Sequence, residues 1–288
     1  MPNRTKVVSQ DSTHSNPFDL SVPELEEISR KLRRHIITMI ATAGSGHPGG
    51  SLSAVDIIAA LYFKIMHHDP HNPGWKERDR FILSKGHGAP ALYAVLAESD
   101  YFPVEELTTL RKLDSRLQGH ADRNFTPGVE MSAGSLGHGL SFGIGIALAA
   151  RLDELDYQTY VLLGDGECEE GQIWEAALSA AHFKLDNLTV AIDRNRQQLS
   201  GWTRNIMGIE PLNEKWQAFG WHTIEIDGHR FNQILAAFKE AKTIKGRPSI
   251  IIANTIKGKG VSFMENNIDF HGKAPTPEEA KRALKELE

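Results

Sequence analysis

One cysteine, Cys168, stands among 288 residues, so no intrachain disulfide can form and no multi-cysteine metal site is available. That usage is expected of a reducing cytoplasm. Long apolar runs are missing too. None reaches the length of a membrane span, and the opening MPNRTKVVSQDSTHSNPFDL has no apolar signal-peptide centre. No membrane partner is expected, and residues 1–20 read as a loosely ordered tail ahead of a domain covering 21–288. Net charge is −5 with both signs mixed along the chain, leaving no basic cluster to grip a nucleic acid. No G-x-G-x-x-G follows the first apolar strand, which sets aside a nicotinamide dehydrogenase. No linker rich in proline, glycine or serine divides the middle, and no internal repeat is present. What remains is 40% hydrophobic and 24% charged residues, enough for a sizeable core.

The patterning predicts alternating helices and strands. Leu25, Ile28, Leu32, Ile36, Met39 and Ile40 follow the spacing of an amphipathic helix over residues 24–43, with Ser21 as its cap. GSGHPGGS breaks the chain at 44–51, and a second helix is expected from Leu52 to Met66. A short strand, FILS, stops at Lys85-Gly86-His87-Gly88 and leads into a helix over 91–97. YVLLG, LTVAI, HTIEI and SIIIANT read as buried strands separated by helical stretches, the pattern of a parallel sheet with crossovers. Within 133–150, Gly137, Gly139, Gly143 and Gly145 interrupt an otherwise helical run. Each costs roughly 1 kcal/mol relative to alanine, so the segment belongs where backbones approach closely. Thr276 and Pro277 open a capped C-terminal helix. The expected fold class is α/β, a doubly wound and mainly parallel sheet flanked by helices.

Two of these strands end in residues suited to a hard cation. Gly164-Asp165-Gly166 follows YVLL, and Asn195 follows the next strand. A single strand–helix–strand unit separates them, so both belong at the C-terminal strand ends where α/β sheets bind ligands. A magnesium-type ion takes six oxygen ligands. The Asp165 carboxylate, the Asn195 amide and the main-chain carbonyl of Gln197 supply three, and a diphosphate with water the rest. Gly164 and Gly166 let the backbone approach the phosphates, and the helix starting near Glu170 points amide groups at them.

The segments SGHPGGSLS (45–53), LSKGHGAPALYA (83–94), QGHADR (118–123), SAGSLGHGLSFGIGIALA (132–149), GDGECEEGQIWEAA (164–177), DRN (193–195), IKGKG (256–260) and FHG (270–272) occur in the order seen in transketolases. The chain after residue 20 resembles the thiamine diphosphate-binding half of that family, with its thiamine-diphosphate-binding fold. The resemblance implies thiamine diphosphate as cofactor, with Mg2+ (Ca2+ or Mn2+ in its place) as the ion. It places His47 and His271 near the reacting carbon and donor hydroxyls, and His120 on the substrate. His87 is placed on phosphate or substrate oxygens, and Gly134, Ser135 and Leu136 along the middle of the cofactor. Histidine suits such work because its ordinary pKa lies near neutrality. Leu136 reads equally as a buried helix residue. Glu170, with Glu167 beside it, faces a subunit interface by resemblance, or else serves a helix start. His138 stands where relatives carry glutamine and receives no role. Cys168, Trp202, Trp216 and Trp221 read as packing residues, and His67, His68, His71, His182, His222 and His229 as bystanders.

In transketolases the glutamate that activates the aminopyrimidine lies in a second domain, beyond the segments matched here. The expectation is therefore a split enzyme. This chain would form its N-terminal subunit. The pyrimidine-binding domain would come from a separate C-terminal subunit, and sugar phosphates would be the substrates. The glycine-rich helix is the candidate surface for self-association, giving a two-plus-two assembly. The reaction implied is transfer of a two-carbon ketol unit from a ketose phosphate to an aldose phosphate. Alternatives are a split transketolase for a branched or sulfonated sugar, and a non-catalytic binding protein retaining the fold. A deoxyxylulose-phosphate synthase half fits the second and third histidine motifs less well.

Overall fold

The computed structural model describes residues 16–288, so most of the expected tail lies outside the described residues. Within them, Asn16 donates to the Tyr62 carbonyl at 3.0 Å, and Phe18 meets Phe63 edge-on at 5.2 Å. The helices are α1 (Val22–Ala43), α2 (Pro48–Ala60), α3 (Ala89–Glu98), α4 (His138–Leu152), α5 (Gly171–His182), α6 (Thr203–Ile206), α7 (Leu212–Ala218), α8 (Phe231–Thr243) and α9 (Pro277–Glu286). The strands are β1 (Arg80–Leu83), β2 (Thr159–Gly164), β3 (Leu188–Arg194), β4 (Gln197–Gln198), β5 (Gly201–Trp202), β6 (His222–Asp227) and β7 (Ser249–Asn254). Five strands form one parallel sheet in the order β1-β2-β3-β7-β6, and β4 pairs with β5 in a small antiparallel ribbon. Two apolar clusters cover its faces, one built around α1, α2, α3 and α8 and the other around α4, α5 and α7. This is the doubly wound α/β sheet expected.

Local chemistry explains most boundaries. The Ser21 backbone N–H donates to the Glu24 carboxylate at 2.7 Å, and Thr276 and Glu279 cap α9 reciprocally at 3.2 and 2.8 Å. Two expectations need correction. The second helix starts at Pro48 rather than Leu52, because proline fits a first turn and the glycine pair lets α2 sink among its neighbours. All thirteen of its residues are buried, so it shows no amphipathic stripe, and a wider π-type turn over Leu61–Ile65 ends it. The strand HTIEI is not buried throughout. As β6 it forms a sheet edge, and Glu225 faces solvent to pair with Arg194 at 3.1 Å. Trp216 and Trp221 pack fully, whereas Trp202 is half-buried beside the Arg204 guanidinium.

Candidate active site

The sheet register sets Gly164 opposite Asp193 and Asp193 opposite Ala253, so the chain leaves β2, β3 and β7 at one edge. Asp165 is one residue past its strand and almost wholly buried. One of its oxygens accepts the Gly166 N–H at 2.8 Å, and the other accepts the Arg196 N–H from the segment after β3. The two turns are thereby tied to each other. The Asn195 amide nitrogen donates to Asp193 at 3.2 Å while its oxygen accepts the Gln197 N–H at 3.0 Å. Those two bonds fix which way the amide points. Asp165, Asn195 and Gln197 all line one cavity of about 300 Å³, together with Gly164, Gly166, Leu136, His87 and His271.

The electrostatics of this cavity favour a cation beside an anion. Burial, followed by the charge of Asp193, raises the Asp165 carboxyl to about 7. A carboxylate so placed gains strongly from a divalent ion. The Asn195 amide oxygen accepts one bond here, and so does the Gln197 carbonyl, which takes the Lys257 Nζ at 3.1 Å. Each oxygen keeps a second lone pair for a metal. Among the described residues no group of three His, Cys, Asp or Glu side chains could hold a metal. The donor set is thus carboxylate, amide and carbonyl oxygen, the hard ligands that Mg2+ prefers. Positive charge stands opposite. Lys85, buried against Asp193, also donates to the Gly50 carbonyl at 3.0 Å. Lys257 is lowered to about 8, by burial first and then by Lys85. The residues present therefore fit a diphosphate held through a divalent cation.

Four histidines continue outward from the cavity. His87 and His271 stack at 5.3 Å, His47 lies 5.6 Å from His87 and 5.8 Å from His271, and exposed His120 lies 6.0 Å beyond His47. Close approach of α2 makes this possible. A Cβ on Gly50 would stand 3.2 Å from the His87 ring. Burial is the leading reason that all four are less basic than usual. His47 falls to about 4 and His271 to about 3, with cationic neighbours adding to the effect. These are neutral imidazoles at neutral pH. The buried His47 Nδ1 has no hydrogen-bond partner, so a polar atom there is free to engage a ligand.

The residues expected along the middle of a cofactor are divided. Leu136 lines the cavity and precedes α4, so it is not a helix residue, while exposed Gly134 and Ser135 stand outside the lining. Gly137 turns the chain into α4 with φ +87°, a conformation suited to glycine. Glu170 stands at the first position before α5, on the exposed cavity rim, and its side chain makes no capping bond. Buried Glu167 accepts from the Gly137 and Gly164 N–H groups, each at 2.9 Å, and from the Ser84 hydroxyl. It clamps three segments of the site. Cys168 is fully buried, its thiol pushed up by burial. Sequence reasoning passed over Lys85, Lys257, Asp193, Ser53 and Thr255. Ser53 and Thr255 both donate hydroxyls to Asp193, Ser53 at 2.6 Å. Both lysines lie in glycine-bordered segments that follow strands, but that local pattern does not tell a buried lysine from a solvated one.

A family profile described as transketolase, thiamine diphosphate binding domain, matches residues 26–287. The chain is 49% identical to the 6-deoxy-6-sulfo-D-fructose transketolase subunit of Clostridium sp. (strain MSTE9), over 92% of this chain and 96% of that one. It is 43% identical to one subunit of the apulose-4-phosphate transketolase of Actinobacillus succinogenes, over 94% and 99% respectively. Transketolase from Campylobacter jejuni superposes with a TM-score of 0.88 at 33% identity, over 93% of this chain and 43% of that structure. The chain thus spans less than half of such full-length transketolases, and it belongs to the transketolase family through their thiamine diphosphate-binding domain.

Proposed function

We propose that this chain is the diphosphate-binding subunit of a two-chain transketolase that moves a two-carbon ketol unit between sugars. One observation carries the reading. Asp165, Asn195 and Gln197 share a lysine-flanked cavity from which a row of neutral histidines leads to the surface. Asp165, the Asn195 amide and the Gln197 carbonyl would hold Mg2+, with Ca2+ or Mn2+ as substitutes. Lys85, Lys257 and His87 would face the diphosphate. When bound, thiamine diphosphate supplies the electron sink for the transferred unit. His47, His120 and His271 would hydrogen-bond the donor hydroxyls and exchange protons with them, and anions arriving nearby raise the basicity of such imidazoles. The cavity sits at the small end of the usual range for ligand sites, about 300–1,000 Å³. It suits the diphosphate end of the cofactor and leaves the rest to be enclosed by another chain.

Relatives matched over nearly their whole length are named as subunits, which supports a companion carrying the pyrimidine-binding domain. We also propose self-association through α4, in a cytoplasmic two-plus-two assembly. The same relatives are named for 6-deoxy-6-sulfo-D-fructose and apulose-4-phosphate, so a modified anionic ketose is favoured as donor over the common ketose phosphates. The test is to assay the chain alone, then with a candidate companion subunit carrying the pyrimidine-binding domain, using thiamine diphosphate, Mg2+ and each donor class. Two-carbon transfer should appear only with the companion, and fastest with the modified donors. Turnover by the lone chain contradicts the two-chain reading, and no transfer from any donor contradicts the activity.

A further inference from the structure

Away from the cavity, one buried carboxylate anchors a network that joins four parts of the chain, α1, α2, the β6–α8 turn and residues 256–259. Asp56 on α2 accepts two bonds from Arg33 on α1, at 2.9 and 2.7 Å, and one from the Ser29 hydroxyl. Burial alone would raise its pKa, but the Arg33 guanidinium holds it far below the usual carboxylate range. His229, in the turn between β6 and α8, places Nδ1 at 2.8 Å from the same carboxylate. The other ring nitrogen, Nε2, accepts the Ile256 N–H at 2.8 Å. A ring that accepts at Nε2 must carry its proton on Nδ1, where it donates to Asp56. Arg33 also donates through Nε to the Lys259 carbonyl at 3.0 Å. The backbone on both sides of Lys257 is thereby tied to one hub. Lys257 in turn reaches the Gln197 carbonyl and places Nζ 2.7 Å from His271 Nδ1.

We propose that His229, oriented by Asp56 and Arg33, is a positioning residue that aims Lys257 at the Gln197 carbonyl and His271. It acts through the backbone of residue 256 and touches none of the proposed ligands. His229 therefore does specific work, although its flanking residues mark it as a bystander. The inference rests on the cofactor reading for its consequence, but the positioning itself exists without ligand.

Two measurements on the full chain separate these layers. In the unliganded chain, long-range proton–nitrogen spectra should show His229 protonated on Nδ1 alone. His229→Asn, too short to reach Ile256, should move the His271 ring signals. His229→Gln, whose amide oxygen can accept that N–H, should largely restore them, and neither change should move them once Lys257→Met is present. In calorimetric titrations of thiamine diphosphate with Mg2+, His229→Asn should weaken binding by roughly tenfold, as loss of an outer-shell partner typically does. It should cost nothing further in the Lys257→Met background. An Nε2-protonated His229, His271 shifts that persist without Lys257, or affinity losses that simply add would each overturn the proposal. If neither the unaltered chain nor its complex with a companion subunit binds the cofactor, the functional reading fails while the spectra still decide the positioning role.

Discussion

At the scale of single residues, Asp165 makes the sharpest claim because its environment works against its charge. Its carboxyl, raised to about 7 by burial and then by Asp193, has an ordinary value of about 3.9. Between those values the folded chain keeps a proton that the unfolded chain has released, so this group makes stability fall as pH rises through that window. A cation must displace the same proton. Mg2+ affinity should therefore climb as pH approaches about 7 and level off above it, with proton uptake by the buffer on binding below that point. Titrations in two buffers of different ionisation enthalpy measure this directly, and an affinity that stays flat from about pH 5.5 to 8 would remove Asp165 from the metal site. Asp165→Asn should weaken the ion by tenfold or more and abolish the pH dependence. Asp165 and Asn195 were legible because each polar residue directly follows an apolar strand. Lys85 and Lys257 were not. A lysine carries the same local signal whether it ends in solvent or against a buried carboxylate, and only tertiary packing distinguishes them.

At the scale of elements, α4 separates two uses of glycine that look alike in sequence. A Cβ on Gly139 would stand 2.4 Å from Ser84 Cβ, and one on Gly143 would stand 2.6 Å from the Val161 side chain, whereas exposed Gly145 has nothing within 4 Å. The first two glycines let α4 lie on β2 and on the end of β1, so the close approach expected of this segment is met inside the chain. Gly139→Ala should then cost about 1–3 kcal/mol by overpacking. Gly145→Ala should stabilise the isolated chain by roughly 0.5–1 kcal/mol by removing backbone freedom from the unfolded state. Urea unfolding of the two variants checks both signs, and equal effects would mean that helix propensity alone governs the segment. Periodicity revealed the helix and the Val/Ile-rich strands, but it could not say which glycine faces what. Nor could it place β6 at a sheet edge. Strand order depends on where each crossover returns, which no local pattern encodes.

For the whole molecule, the open side of α4 matters most. Leu152 at its end, Leu178 on α5 and Phe183 just beyond are exposed, and Phe142, Ile146 and Leu148 are only half-buried against the core. Exposed and half-buried apolar side chains on α4 and the neighbouring α5, with an open glycine on α4, suit a contact between protein surfaces. Like subunits meeting there would leave the mouth of the cavity, formed at the strand ends by Leu136, Leu199 and Glu170, for an unlike chain. Sedimentation of the lone chain should then show a dimer, which Gly145→Arg should convert to monomer without loss of helical signal, since the added side chain has open space in the single chain. The same variant should still bind Mg2+, because α4 supplies none of the proposed ligands. A lone chain that stays monomeric at tens of micromolar, yet pairs once the companion is added, would assign this face to the unlike subunit instead. The cofactor cavity would then lie away from that contact, and the proposed two-plus-two arrangement would have to be abandoned.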